Sequence, residues 1–369
     1  MTDREALLAA VRESSSDDLP RLVFADWLDD RGEAERAAFI RAQVEAAREE
    51  PDSPAARDAE DRAAALLTEA NRVAWTQEIR GLLLEASFER GFVHHASVDA
   101  AQFPENAREL FALEAIRSLR IHRPAPSRSE FEILLRPVFE TPELAHLTTL
   151  DLQGIELVHA DLMDLAECEA LAGLERLSLR GNPIQPNWLE EMLDGGNWSE
   201  LRHLCLADIP HLGPTLARCL PRLDDDHRFE SLDFSGIAFR SNELKRLLES
   251  DCVSQLEELH LRWHGGPDRP GSLTHLELGY VIPWERLRVL DVEGQGLGPE
   301  GVREIVRNSH ASSLRRLGLA RNYLGRDGVS LLCEDADIHL YHLDVRFNDL
   351  RPRDLARLAA RFPEARIVS

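Results

Sequence analysis

Apolar positions in the first eighty residues fall on one stripe, which is the pattern of amphipathic helices. The run EALLAAVRE carries such a stripe, and a second helix is predicted from Leu19 to Leu28, before the turn DDRG. A third helix follows in EAERAAFIRAQVEAAREE, and PDSP after it reads as a turn. A long alanine-rich helix is predicted from about Arg57 to Gly81. The chain therefore begins as a small all-α module.

The hydrophobic period changes after this module. The segment LLLEASFERGFVHHASV, from Leu82 to Val98, alternates between apolar and polar residues as strands do. Arg90 and Gly91 stand at its centre, where two strands of a hairpin would turn. The segment predicts a β-hairpin.

One pattern then returns along the rest of the chain: L-x-x-L-x-L, with an apolar residue or Asn three positions further on. Its second leucine-type position serves as a marker and falls at residues 119, 150, 177, 204, 232, 259, 276, 290, 317 and 343. Most of the intervals are 27 or 28 residues, and a fixed period of this length is the signature of a repeat protein.

The repeat has a simple physical explanation. Two leucines, two positions apart, point inward from a short strand, and about twenty further residues return the chain through a helix. Such helices are predicted in PNWLEEML, SNELKRLLES, GPEGVREIVRN, GRDGVSLLCE and PRDLARLAARF. One repeat cannot bury its own inner face, so neighbouring repeats must stack. The predicted class is α/β, a solenoid with a curved parallel sheet inside and helices outside.

Two intervals are irregular, because markers 259, 276 and 290 lie only 17 and 14 residues apart. We interpret residues 259–290 as one repeat that carries an extra strand-like insertion, LTHLELGYV.

The composition of the chain argues against several classes of function. The chain has 369 residues and a formal charge of −23, which argues against binding nucleic acid or anionic lipid. No apolar stretch approaches the length of a membrane span, and the N-terminus lacks the layout of a signal peptide. Five cysteines without C-x-x-C spacing fit a reduced chain. We expect a cytoplasmic protein that binds neither nucleic acid nor membrane.

The repeats resemble leucine-rich repeats, in particular the longer strand-plus-helix type of ribonuclease-inhibitor-like proteins. The resemblance covers roughly residues 110–369 in about ten copies, such as LERLSLRGN and LRRLGLARN. The asparagine that ends each motif in that family occurs here only as Asn182, Asn322 and Asn348. The turn hydrogen bonds are therefore expected to differ in the other repeats, where the place is taken by Ile155, Ile209, Ile237 or His264.

The N-terminus is similar to a second family, the bacterial repeat-companion domain. The matching segments are EALLAAV, DDLPRLVFADWLDDRGE and AAFIRAQVE, and FERGFV resembles the segment that such proteins place before their repeats. The resemblance implies an arrangement of domains and no activity. We predict a helical companion module at residues 1–50, a linking helix and hairpin that cap the array at residues 51–108, and nine or ten repeats at residues 109–369.

Signals for catalysis or metal binding are weak. The chain has no G-x-S-x-G, P-loop or H-E-x-x-H motif. His94 and His95 would point to opposite sides of a strand, so they cannot share a metal. Cys205 has no recognisable His–acid pair, and the acidic residues Asp26 and Asp29 fit helix ends and contacts. We expect no catalytic residue, metal or cofactor.

The outward places of the predicted sheet carry charges of both signs and, toward the C-terminus, exposed aromatic residues. This composition is typical of a protein-binding surface with anchors. The predicted partner site on the concave face is Glu258, His260, Arg262, Trp263, His275, Glu277 and Tyr280.

The leading hypothesis is a non-enzymatic, monomeric scaffold that binds an unidentified protein partner. One alternative is a regulator of an enzyme, either ribonuclease-inhibitor-like or GTPase-activating. A more remote alternative is an enzyme whose active site lies in the N-terminal module.

Overall fold

The computed structural model describes residues 2–13, 17–123, 135–223, 227–265, 273–274, 278–279, 282–308, 310–334 and 337–369. Contacts within the chain define two compact units, Met1–Ile155 and Glu156–Ser369. We call them unit 1 and unit 2. The predicted boundaries at residues 50 and 108 both lie inside unit 1, and that finer division stays a prediction.

Unit 1 begins with helices, as the apolar stripes predict. Their bounds are α1 Asp3–Glu13, α2 Leu19–Asp29, α3 Ala34–Arg48, α4 Pro54–Leu66 and α5 Glu69–Trp75. The prediction of one helix from Arg57 to Gly81 is wrong, because the chain breaks between α4 and α5. Thr68 starts the new helix, since its side-chain oxygen accepts a hydrogen bond from the backbone N–H of Asn71 at 3.2 Å. Such a cap satisfies a donor that a helix start otherwise leaves unpaired.

The second half of unit 1 contains a hairpin and the first repeats. It comprises β1 Glu85–Glu89, β2 Phe92–Asp99, α6 Phe103–Leu113, β3 Ser118–His122, α7 Arg136–Phe139 and β4 Thr149–Asp151. Strands β1 and β2 are antiparallel, which confirms the predicted hairpin, while β2–β3 and β3–β4 are parallel. The turn has left-handed backbone at Arg90 (φ 48°) and Gly91 (φ 88°). A Cβ on Gly91 would lie 2.7 Å from the Cα of Ile40, so the hairpin packs against α3 through a glycine.

Unit 2 alternates short strands with returning helices. Its strands are β5 Arg176–Ser178, β6 His203–Cys205, β7 Ser231–Asp233, β8 Glu258–His260, β9 Val289–Asp291, β10 Arg316–Gly318, β11 His342–Asp344 and β12 Arg366–Val368. Its α-helices are α8 His159–Ala166, α9 Pro186–Gly195, α10 Gly213–Cys219, α11 Ser241–Leu248, α12 Gly298–Arg307, α13 Gly325–Glu334 and α14 Pro352–Arg361. Neighbouring strands from β5 to β12 pair in parallel in sequence order. Strand β12 follows the last predicted helix and is not anticipated by the leucine pattern.

The marker leucines stand side by side across these strands. Leu177 pairs with Leu204, Leu204 with Leu232, and so on to Leu343, which pairs with Ile367. The six leucines predicted to form the core are each at most 4 % exposed, which confirms the predicted register. These are Leu177, Leu179, Leu204, Leu206, Leu259 and Leu261.

Residues 259–290 form one repeat, as interpreted from the sequence. Leu259 pairs directly with Leu290, because β8 and β9 are neighbours in the sheet. Most of the insertion LTHLELGYV lies outside the described residues. The strand that pairs with β8 on this side is β9.

The asparagines at the ends of three repeats are buried and join adjacent turns. Asn348 accepts hydrogen bonds through Oδ1 from the N–H groups of Asn322 and Leu324, at 2.9 and 3.2 Å. Gln295 takes the same place in the repeat of β9 and donates to the carbonyl of Leu261. Where isoleucine stands instead, as at Ile237, the side chain joins the apolar core and the backbone N–H donates to Phe234 at 3.0 Å. The expected difference in turn bonding is confirmed.

Candidate functional site

Four residues of the site predicted from the sequence are described, and they lie in β8 and in the turn after it: Glu258, His260, Arg262 and Trp263. We define the strand face as the surface formed by the side chains of β5–β11, and of the turns after them, that alternate with the leucine core. The residues directly after the marker leucines form a row across it, and all are half-buried. This row is Ser178, Cys205, Asp233, His260, Asp291, Gly318 and Asp344.

Arg262 links two carboxylates of this row. Its Nε lies 3.4 Å from Oδ2 of Asp291, and its Nη2 lies 3.9 Å from Oδ2 of Asp233. Its backbone N–H donates to Oγ of Ser235 at 3.3 Å. Two of the four described site residues, His260 and Arg262, therefore share Asp291, because Nδ1 of His260 lies 3.9 Å from the same carboxylate oxygen.

The electrostatics of Asp291 follow from these neighbours. Burial by itself raises the pKa of the carboxyl group, but His260, the N–H of Glu293 and Arg262 outweigh it and hold the pKa below its ordinary value. The Glu293 N–H donates to Oδ1 at 3.1 Å. Close packing requires glycine in the next strand, since a Cβ on Gly318 would lie 2.4 Å from Oδ1 of Asp291. Asp291 is an ionised, fixed anion at neutral pH.

Cys205 in the same row is not an activated nucleophile. Its Sγ donates to Oδ2 of Asp233 at 3.6 Å. Burial, with the negative charge of Asp233, raises the pKa of the thiol to about 11. Because the thiolate is the nucleophilic form, a thiol with this pKa is inert at neutral pH.

The two remaining described residues of the predicted site are half-buried. Glu258 accepts a hydrogen bond through Oε2 from the hydroxyl of Ser231 at 3.1 Å. The backbone N–H of Trp263 donates to Glu293 at 2.8 Å, and the indole lies against Gly265, where a Cβ would come within 2.6 Å of the ring. The carbonyl of Trp263 lies against Gly294, where an added Cβ would clash at 2.1 Å.

His275, Glu277 and Tyr280 lie outside the described residues, so their place in the site stays a prediction. Strand β9 pairs with β8, and Asp291 pairs with His260. Among the described residues, a charged network around Asp291 therefore lies next to β8 on the strand face.

Two exposed aromatic residues lie in the turns after β10 and β11. Tyr323 is 61 % exposed and Phe347 is 66 % exposed. The guanidinium of Arg321 stacks over the ring of Phe347 at 4.8 Å. Phe347 follows the marker Leu343 at the same distance as Trp263 follows Leu259, whereas Tyr323 stands one position after the buried Asn322 and has no counterpart among the predicted site residues. All three residues have left-handed backbone, with φ of 55–56°.

Within the residues that the structure describes, no three His, Cys, Asp or Glu side chains come close enough to hold a metal ion. Of the helices described, none is long and apolar enough to cross a bilayer.

Comparison with solved structures concerns the fold. A chain of the Rad7–Elc1 complex of yeast matches 100 % of this chain over 92 % of its own length, at 14 % identity and a TM-score of 0.52. The fold is that of a leucine-rich-repeat protein. A protein from Bacteroides fragilis matches 85 % of this chain over 83 % of its own length (18 % identity, TM-score 0.49). An internalin of Listeria monocytogenes matches 80 % of this chain over 94 % of its own length (15 % identity, TM-score 0.36).

No protein-family model matches the chain, and no curated protein matches it. At such identities the structural likeness extends to the fold alone.

Proposed function

We propose that this protein is a non-enzymatic interaction scaffold and that the strand face of unit 2, the predicted concave face, binds a protein partner. The observation that carries the proposal is the combination of ion pairs on the strand face, which are ordered in the free protein, with exposed aromatic side chains in the turns after β10 and β11. The ion pairs provide polar groups that are already ordered, and the aromatic residues provide contact area.

The charges of the strand face are held in place before any partner arrives. Arg180 lies 2.8 Å from Asp208, and Arg321 lies 3.5 Å from Glu293, so guanidinium groups are fixed by carboxylates of neighbouring repeats. A partner then needs to order few side chains on binding, which reduces the entropic cost of association. Alternating charges also select the register of the partner and disfavour wrong ones.

The exposed aromatic residues supply contact area. Tyr323 and Phe347 offer rigid, exposed rings in the turns after β10 and β11, and aromatic anchors that become buried on binding are typical of residues that dominate interface energies. Trp263, with its indole half-buried, stands at the corresponding place of an earlier repeat.

For residues 1–50 of unit 1 we propose a repeat-companion module that positions helices and takes no part in chemistry. The similarity of its sequence segments supports this assignment. So does the role of two residues within them: Arg21 donates through Nη1 to the carbonyl of Asp17 at 2.7 Å, and Asp26 joins α2 to Arg41 of α3 at 2.7 Å.

We further propose that the protein is a monomer in the cytoplasm. All five cysteines lie within the described residues and none of them forms a disulfide, as expected in a reducing compartment.

The test is binding of the full-length protein to a partner isolated from native lysate and then purified. Three double variants are compared: Arg262→Ala with Trp263→Ala, Tyr323→Ser with Phe347→Ser, and, as a control on the exposed side of α11, Lys245→Ala with Arg246→Ala. We expect a loss of affinity of at least about tenfold in one of the first two variants, no loss in the control, and thermal midpoints close to the parent.

Equal affinity of all three variants for the partner would contradict the assignment of the strand face. If the purified partner is an enzyme whose rate changes on binding, the protein is a regulator of that enzyme.

A further inference from the structure

Unit 1 contains a cavity of about 440 Å³ between its helices and the hairpin. Leu8, Phe24, Trp75 and Phe92 contribute apolar wall, and Arg36 and Glu114 are polar groups on the same wall. The volume is in the range of pockets that hold small ligands. The cavity opens beside the ion pair of Arg4 and Glu78, whose side chains are 51 % and 57 % exposed and 3.0 Å apart.

The guanidinium of Arg36 is held by aromatic rings. It lies 4.5 Å from the ring centre of Trp75, 4.9 Å from Phe88 and 5.4 Å from Phe39. Burial lowers the pKa of Arg36 to about 10, so the group stays cationic at neutral pH. Its Nη1 is buried and has no hydrogen-bond partner among the described residues. A buried charged donor without a partner is unfavourable, so this group calls for an acceptor.

Glu114 is the second polar group of the wall. Burial raises the pKa of its carboxyl group to about 7, against the opposing influence of Arg36 and Arg4 and of a hydrogen bond from the backbone of Val93. No ion pair within 4 Å joins Arg36 to Glu114 in the described part of unit 1. At neutral pH the carboxyl group is protonated in about half of the molecules and can then donate a hydrogen bond.

We propose that this cavity binds a small carboxylic acid with an apolar body. The carboxylate accepts hydrogen bonds from Nη1 of Arg36 and from the protonated carboxyl group of Glu114, and the apolar body packs against Phe24, Trp75 and Phe92. An anion supplies the acceptor that Arg36 lacks, whereas a neutral amide compensates its charge poorly and an amine is repelled by it.

The protonation of Glu114 makes binding dependent on pH. The other charged groups around this residue are Arg36, Arg4, Glu33 and Glu78 in the cavity and, on the side of an adjoining cavity, Arg12, Glu13, Arg108, Arg117, Glu143 and His146. An acid such as hexanoate is ionised throughout the neutral range. If only the protonated form of Glu114 receives it, the dissociation constant rises about tenfold from pH 6 to pH 8.

The experiment titrates the full-length protein with hexanoate and phenylacetate, using hexanamide and hexylamine as neutral and cationic comparators. Calorimetry reports binding, and the fluorescence of Trp75 in the cavity wall gives a second readout. We expect hexanoate to bind at one site, at least about ten times more tightly than hexanamide, with the stated rise of the dissociation constant between pH 6 and pH 8.

Three variants assign the effect to residues. Arg36→Met is expected to lose the preference for hexanoate over hexanamide. Arg31→Met is the matched control, because Arg31 also stacks on an indole, that of Trp27 at 3.9 Å, without lining the cavity. Glu114→Gln keeps a donor and is expected to retain binding while losing its pH dependence.

Several results would overturn the proposal: no binding of either acid, equal binding of acid and amide, preference for the amine, or unchanged binding in Arg36→Met. If Arg36→Met does not fold, two measurements decide: the comparison of the probes on the parent protein and the pH dependence of binding to Glu114→Gln. A pH dependence that persists in Glu114→Gln contradicts the role of Glu114.

Discussion

Replacing Asn322 by alanine removes the side chain that joins the turns after β9 and β10. The amide of Asn322 donates to the carbonyl of Val292 at 2.9 Å and accepts the N–H of Leu297 at 3.1 Å. It also donates to Ala320, whose carbonyl keeps a second bond from Gly294 at 2.9 Å. The substitution therefore deprives two buried backbone groups, those of Val292 and Leu297, of the partner they have here.

The magnitude follows from that number of groups. A buried donor or acceptor left without a partner costs about 1–3 kcal/mol, so the loss of two predicts a fall of about 2–6 kcal/mol in the free energy of unfolding. Leu297 precedes the first turn of α12, so the loosened N–H also weakens the start of that helix.

Urea unfolding followed by circular dichroism measures the effect, and amide hydrogen exchange at Leu297 shows whether it is local. Asn308→Ala is the matched control, because the bond that the side chain of Asn308 makes within the described residues is an exposed one, accepted from the His310 N–H at 2.9 Å. It should cost no more than about 0.5 kcal/mol. Equal destabilisation by the two substitutions, or unchanged exchange at Leu297, would refute the reasoning.

Three further predictions concern the core, the start of the repeats and pH. Leu206→Ala should lower the free energy of unfolding by about 2–5 kcal/mol in chemical denaturation, because this leucine is fully buried. The control Leu84→Ala, at an exposed position, should change it by less than about 0.5 kcal/mol. A loss below about 1 kcal/mol for Leu206→Ala would mean that the register is wrong. Deletion of residues 1–98 removes the hairpin strand that pairs with β3 and should make the remainder insoluble, so a soluble fragment that unfolds cooperatively would disprove the capping role. Burial, together with Arg176 and Arg202, lowers the pKa of His203 from 6.5 to about 4, although Glu230 lies 3.6 Å away. As the pH falls, His203 is therefore protonated in the unfolded chain before it is protonated in the folded one. The free energy of unfolding should decrease as the pH drops from about 6.5 toward 4. In His203→Gln, the decrease in the free energy of unfolding between pH 8 and pH 4, measured by urea denaturation at each pH, should be smaller by about 1–3 kcal/mol. An unchanged pH dependence of stability in this variant would contradict the prediction.

The repeats of unit 2 are predictable because their spacing is a property of the sequence itself. Leucines at fixed places recur every 27 or 28 residues, and one register buries all of them. The direct pairing of Leu259 with Leu290 follows from the same rule, since two intervals of 17 and 14 residues are too short for two helical repeats. The hairpin is also predictable from a short segment, because apolar and polar residues alternate on both sides of the turn at Arg90-Gly91.

Other features cannot be predicted from the sequence, because they depend on very few residues or on residues that are far apart along the chain. The break at Thr68 rests on one capping hydroxyl within an alanine-rich run, and β12 has three residues without the leucine pattern. The aromatic surroundings of Arg36 bring together α3, α5 and the hairpin, which no spacing along the chain connects. The charged network around Asp291 likewise depends on which strand follows β8 in space.

The direct pairing of β8 with β9 has a consequence for protein engineering. Because the two strands are neighbours in register, their pairing does not depend on the length of the chain that connects them. Lengthening a connection between paired strands affects folding chiefly through chain entropy, at roughly 0.6 kcal/mol for each doubling of loop length. The repeat that spans residues 259–290 is therefore a natural insertion point for a reporter domain or an affinity tag.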